Sequence, residues 1–118
     1  MLIHEHEPLN AEPPREALAQ LPLTPLESFY VRGHGPVPDD PAAGWRLQIA
    51  GMVERECAWS LGELRDGRFT EWEVVATLQC AGNRRNGLIE VRDIPGETPW
   101  GPGATGTASW RGVRVRDL

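Results

Sequence analysis

The sequence predicts an α+β fold of short elements around a mixed sheet. Three observations point there. Glycine and proline together make up about 20% of the chain, above the usual ~12% but below the ~25–30% of low-complexity sequence. Two segments, WRLQIAG (45–51) and EWEVVATLQ (71–79), carry strand patterns, while the helix signals are few and brief. The chain has 118 residues, 40% of them hydrophobic, with no internal repeat and no linker. That is the size of one domain.

Taken in order, residues 1–14 read as extended, because Pro8, Pro13 and Pro14 block an early helix. REALAQL (15–21) reads as a short helix with Pro14 near its first turn, ended by Pro22 and Pro25. SFYVR (28–32) has the aromatic and β-branched character of a strand. GHGPVPDDPAAG (33–44) is a loop by composition. In WRLQIAG, Trp45, Leu47 and Ile49 share one face. Cys57, in ECAWS, reads as an ordinary core or strand residue. SLGELRDG (60–67) carries a capping box, Ser60 as N-cap and Glu63 three residues on, before an Asp66-Gly67 turn. EWEVVATLQ is the clearest strand. Residues 80–109 read as long functional loops, and WRGVRVRDL (110–118) as the start of a new strand or helix.

Charge and composition exclude several function classes. The formal net charge is −5, which does not suit general nucleic-acid binding. All 12 basic residues are arginine. An anion site here must therefore use planar, permanently charged guanidinium groups, and lysine chemistry is ruled out. The two cysteines allow at most one disulfide. No apolar run approaches the length of a membrane span. The N-terminus has acids and prolines where a signal peptide needs a basic start and an apolar stretch, so a cytoplasmic location is expected.

The chemistry concentrates in LQCAGNRR (78–85). A strand delivers Cys80 to its C-terminal end, Gly82 and Asn83 permit positive φ, and Arg84 and Arg85 follow. Guanidinium groups beside a thiol favour the thiolate, which is both nucleophile and soft metal ligand. Three readings stay open on these residues. The first is a buried structural cysteine with solvated arginines. The second is a nucleophile toward phosphate or sulfur esters, although the sixth position after the cysteine is Asn86 rather than arginine. The third is a thiolate ligand to a soft metal, with arginine placed for an oxyanion. Zinc is disfavoured, since Cys57, Cys80, His4, His6 and His34 have no paired-ligand spacing. In FYVRGHGPVP (29–38), Arg32 and His34 can donate to phosphate or a heterocycle, and Gly33 and Gly35 let a ligand approach the backbone. PWGPGATGTASW (99–110) puts Trp100 and Trp110 in a glycine-rich loop, as packing anchors or as a substrate wall.

These segments resemble the molybdopterin domain of the sulfite oxidase family, which also includes the eukaryotic assimilatory nitrate reductases. EPLNAEPPREAL (7–18), FYVRGHGPVP, WRLQIAGMV (45–53), VVATLQCAGNRR (74–85) and PWGPGATGTASWRGVRVRDL (99–118) run in family order across almost the whole chain. ATLQCAGNRR is the most specific of them. The resemblance implies a sulfite-oxidase-type molybdopterin-binding fold and a molybdenum–molybdopterin cofactor. Cys80 is then the single protein thiolate on molybdenum, with a pterin dithiolene and oxo groups as the other ligands. Tyr30, Arg32 and His34 lie on the cofactor-contacting segment. Arg32 and Arg85 line the substrate side, and Trp100 stands at the rim of the anion pocket. Asn83 and Arg84 shape the loop.

The implied reaction is oxygen-atom transfer to sulfite or a similar small oxyanion, with electrons leaving to a haem, a cytochrome or dioxygen. Each charge-assisted hydrogen bond from the two guanidiniums contributes roughly 1.5–3 kcal/mol. No haem motif, nucleic-acid partner or membrane partner is expected, and a homodimer only for a full-length version. Gly33 stands where the family often carries asparagine, which removes a hydrogen-bonding side chain there. The family's cofactor domain continues well beyond RVRDL, so the chain is expected to be the N-terminal portion of a single domain, incomplete at the C-terminus and inactive alone. The alternatives are a non-catalytic remnant or cofactor-binding fragment, and a nitrate reductase-type molybdenum domain.

Overall fold

In the computed structural model, residues 1–37 and 44–118 are described. Half of the loop expected over 33–44, including the Pro38 that closes FYVRGHGPVP, lies outside the described residues. The chain forms both helices and sheets, as an α+β reading requires. It divides into two compact units, Met1–Val37 with Val75–Ser109, and Pro38–Val74 with Trp110–Leu118. No helix among the described residues is long and apolar enough to cross a membrane.

The first unit opens with a three-stranded antiparallel sheet. Strand β1 (Leu2–His6) pairs with β2 (Leu9–Glu12), and β2 pairs with β3 (Val31–Arg32). The register slips between Ile3 and Glu5, which leaves His4 as the extra residue of a bulge. A bulge of this kind re-aims a side chain out of the pleat, and His4 turns to the Glu12 carboxylate, with Nε2 at 3.0 Å from Oε1. The central strand β2 is the buried one: Asn10, Ala11 and Glu12 are all nearly inaccessible. Beyond it, Pro14 precedes a single helical turn, α1 (Arg15–Leu18), shorter than the expected 15–21. Only Val31 and Arg32 of SFYVR are strand, because Leu26–Ser28 close a 3₁₀ turn first.

Gly33 is pinned although it has no side chain. Its N–H donates to Leu9 O at 2.9 Å and to Asn10 Oδ1 at 3.1 Å. A Cβ there would lie 2.7 Å from Leu9 O, closer than real contacts allow.

Strand β6 (Glu71–Gln79) keeps the bounds read from the sequence, and it pairs with β7 (Thr105–Val113). The Thr77 and Thr107 hydroxyls lie 2.7 Å apart, and Cys80 N–H donates to Ala104 O at 2.9 Å. Partner numbers fall along β6 as they rise along β7, so this pair is antiparallel too. The described strand pairs are therefore antiparallel rather than mixed. All nine β6 residues are exposed, Val74, Val75 and Leu78 among them. Residues 80–109 are less irregular than expected. They include α3 (Arg85–Ile89) and the first part of β7, so no new strand starts at Trp110. The glycines obscured the Thr105 and Thr107 alternation, which becomes a strand because β6 supplies its partner. Gly106 is needed within it, for the Phe29 ring stands 2.6 Å from where its Cβ would be.

In the second unit, β4 (Arg46–Ile49) pairs antiparallel with β5 (Cys57–Ser60). Leu47 and Ile49 are the less exposed positions of β4, as the alternation predicts. Cys57 is a part-buried strand residue, and both cysteines are free thiols. Helix α2 (Leu61–Arg65) starts on the expected capping box. Glu63 N–H donates to Ser60 Oγ at 3.2 Å, and Ser60 N–H donates to the Glu63 carboxylate at 2.8 Å. Trp59 packs edge-on against Phe69 at 5.1 Å. The Arg114 guanidinium covers the Trp72 ring at 4.2 Å.

Two predictions follow from these contacts. The Ser60 N–H, then the Ser60 hydroxyl, holds the Glu63 carboxyl below its usual range. A lowered folded value stabilises above the ordinary glutamate value of about 4.3 and is lost as pH falls below it. Urea midpoints of the wild type and Glu63→Gln should differ at neutral pH and converge in acid, with Ser60→Ala costing roughly 0.5–2 kcal/mol at pH 7. In the first unit, a Cβ on Gly103 would lie 2.3 Å from Pro13 O, whereas at Gly87 it meets nothing within 4 Å. Gly103→Ala should destabilise by about 1–3 kcal/mol in the same titration, and Gly87→Ala should be neutral or slightly stabilising.

Candidate functional site

The site grows from the C-terminal end of β6. Cys80 leaves the strand part-buried, and the chain turns at once: Asn83 N–H donates to Cys80 O at 3.0 Å and Arg85 N–H to Gly82 O at 3.0 Å. The Gly82 N–H points back to Cys80 Sγ at 3.4 Å. The left-handed residue of this turn is Arg84, φ 68°, and not Gly82 or Asn83. That conformation costs roughly 1–2 kcal/mol outside glycine, and the Arg84 N–H that it directs to Gly101 O at 2.8 Å offsets part of it. Gly82 serves a different need. Its missing Cβ would stand 2.7 Å from the Arg85 guanidinium, so glycine lets that cation lie against the backbone of the turn.

Arg85 is held from its far side as well. Its Nη1 donates to Thr98 O at 2.9 Å and pairs with Glu97 at 2.9 Å. Thr98 in turn donates to Glu5 at 3.3 Å, and Glu5 accepts from the Asn10 amide. The described bonds of the guanidinium use Nη1 alone.

The segment 100–104 faces the Cys80 turn. Trp100 O accepts from Asn86 N–H at 3.0 Å, Gly101 O from Arg84, and Ala104 O from Cys80. Asn83 Oδ1 accepts from Ala104 N–H at 3.1 Å. The other side of the segment is fixed by Glu12, whose carboxylate accepts from Gly101 N–H at 2.7 Å and Gly103 N–H at 2.8 Å. Trp100 is 1% exposed. Its indole stands edge-on to His4 at 5.1 Å and to Tyr30 at 6.4 Å, a packing position.

Tyr30 also stacks on Phe29 at 5.7 Å. Burial, then the negative charge of nearby Cys80, raises its hydroxyl above the ordinary tyrosine value. The structure thus brings Cys80, Arg85, Tyr30 and Trp100 into one unit around the turn. Arg32 sits at the end of β3 with Nη1 donating to its neighbour's carbonyl, Gly33 O, at 2.7 Å, and both Arg32 and His34 are exposed. The sequence reading did not single out Glu12, His4 and Asn10 as site residues. NAEPP contains two of them, but only the fold shows what they hold.

A soft metal fits this donor set in one way. Cys80 offers a free, part-buried sulfur with one N–H behind it. Among the described residues no three His, Cys, Asp or Glu side chains converge to hold an ion. A metal here would take one protein sulfur and bring its remaining ligands with it, as a molybdenum bound to a pterin dithiolene does.

Because Tyr30 is the one tyrosine of the chain, its ionisation can be read without ambiguity near 295 nm. It should titrate above the ordinary value of about 10. Cys80→Ser should lower the midpoint by removing the sulfur's charge but leave it raised by burial; an unchanged midpoint would remove Cys80 as a cause.

The sequence pattern of the family described as oxidoreductase molybdopterin binding domain matches residues 34–118. Sulfite oxidase of Gallus gallus is 47% identical over 98% of this chain and 25% of its own length. Sulfite oxidase of Arabidopsis thaliana is 37% identical over 98% of this chain and 29% of its own. A nitrate reductase [NAD(P)H] of Hordeum vulgare is 43% identical over 94% of this chain and 12% of its own. The chain thus spans between about an eighth and under a third of the length of these relatives. A match over most of the chain, with the Cys80 turn inside it, places this protein in the oxidoreductase molybdopterin binding domain family.

Proposed function

We propose that this protein is a molybdenum oxidoreductase of the sulfite oxidase type, acting on sulfite or a similar small oxyanion. The observation that carries the reading is the Cys80 turn: a free sulfur with the Arg85 guanidinium laid against Gly82, the residue whose N–H meets that sulfur. A cation held within the same turn as a soft ligand suits a site for a small anion at a metal.

Cys80 would hold molybdenum through its thiolate, and Tyr30, Arg32 and His34 would contact the pterin. The group supplies oxygen-atom transfer and takes up two electrons when bound. The chain's own residues orient the anion. Arg85, tied through Nη1 to Glu97 and Thr98, would donate from its remaining nitrogens, and Arg32 from the end of β3. Trp100, enclosed against His4 and Tyr30, would support the site from behind rather than stand at the rim of the anion pocket.

Two other readings have an observation behind them. The likeness to a nitrate reductase favours nitrate as the oxyanion, since guanidinium groups can hold either anion. The exposed apolar residues of β6 favour a non-catalytic remnant or cofactor-binding fragment, because uncovered sheet faces invite association. Elemental analysis and a paired sulfite and nitrate assay on the intact protein separate the three. In a full-length version, stoichiometric molybdenum with sulfite-dependent turnover is expected. Cys80→Ser should lose turnover by several orders of magnitude, and full activity in that variant would defeat the assignment.

A further inference from the structure

Nothing in that reading gives Glu12 a role, yet it is the most enclosed ionisable group described, 2% exposed at the end of β2. Its two oxygens are divided between two amides. Oε1 accepts from Gly101 N–H at 2.7 Å and Oε2 from Gly103 N–H at 2.8 Å. His4 Nε2 closes on Oε1 at 3.0 Å, as a donor when the ring carries its proton there. The segment so held is the one whose carbonyls receive the Cys80 turn. Gly101 O takes Arg84 N–H, Trp100 O takes Asn86 N–H, and Ala104 O takes Cys80 N–H itself. Residues 100–104 are therefore a single layer between a buried carboxylate and the thiol loop.

The fit of that layer is tight. A Cβ on Gly101 would stand 2.6 Å from Glu12 Oε1, and one on Gly103 would meet Glu12 Cβ at 3.0 Å. Glycines bring the backbone onto the carboxylate at a depth no other residue permits. The depth of the segment on Glu12 then fixes where its carbonyls present themselves to Cys80, Arg84 and Asn86.

We propose that Glu12 is a positioning residue for Cys80: its carboxylate sets the placement of the thiol loop through Gly101 and Gly103, without touching the sulfur. The importance of that placement rests on Cys80 being the metal ligand, as proposed above, but the placement itself does not.

Glu12→Gln tests it. A carboxamide has one acceptor oxygen, so one of the two glycine N–H groups must face an NH₂. Amide hydrogen exchange and iodoacetamide alkylation are measured on the intact protein without molybdenum. Exchange at Cys80, Arg84 and Asn86 should accelerate about tenfold or more, the scale of one buried bond lost. Gly33, whose amide is bonded to β2 in the same unit, should keep its rate. The alkylation rate of Cys80 should change several-fold relative to Cys57, which lies in the other unit. Should Glu12→Gln fail to fold, Gly101→Ala keeps the carboxylate but crowds Oε1, and it should give the same pattern. Equal acceleration at Gly33, or an unchanged ratio of Cys80 to Cys57 alkylation, would overturn the proposal. Either failure leaves the molybdenum reading standing, and loss of sulfite activity as a hypothesis leaves these rates untouched.

Discussion

The interaction on which the first unit depends is the one between the Glu12 carboxylate and the backbone of the 100–104 segment. A carboxylate this buried is costly to desolvate unless its oxygens are satisfied, and here two amides and a histidine satisfy them. The cost and its compensation lock three stretches far apart in sequence. The bulge in β1 delivers His4, the end of β2 delivers Glu12, and the loop after α3 delivers Gly101 and Gly103. Remove the carboxylate, and two buried N–H groups lose their acceptor at once.

The close approach seen at Gly101 and Gly103 recurs at other glycines. The excess over ordinary composition is not chiefly a supply of unusual dihedrals, since Gly33, Gly82, Gly101, Gly103 and Gly106 all have φ outside the left-handed region. Each is instead a place where something comes too close for a side chain: a carbonyl, a guanidinium, a carboxylate or an aromatic ring. The unit packs backbone against functional groups more than side chain against side chain. Its fully enclosed apolar residues are accordingly few and small apart from Trp100.

The same principle shapes the candidate site. Cys80 and Arg85 are five residues apart, and a tight turn with one left-handed arginine folds the cation back over Gly82. Glu97 and Thr98 hold the guanidinium from outside, which reduces the conformational entropy an anion must otherwise remove on binding. The guanidinium is thus held in place by residues outside the Cys80 turn, an arrangement that would suit close orientation of the proposed anion.

What the sequence determined by itself was local or compositional. The capping box at Ser60 and Glu63, the bounds of β6, the alternation in β4 and the ATLQCAGNRR signature all depend on residues close in the chain, and each was legible there. Tertiary structure decided the rest. Whether Thr105–Val113 is strand or loop depended on β6 lying beside it. Which residue took the positive φ after Cys80 depended on Gly101 O being in reach of Arg84. The enclosure of Trp100 depended on His4 and Tyr30, and the role of Glu12 on two amides about ninety residues away. A buried hydrogen bond needs its partner in space, and partners so distant in sequence leave no periodicity to read.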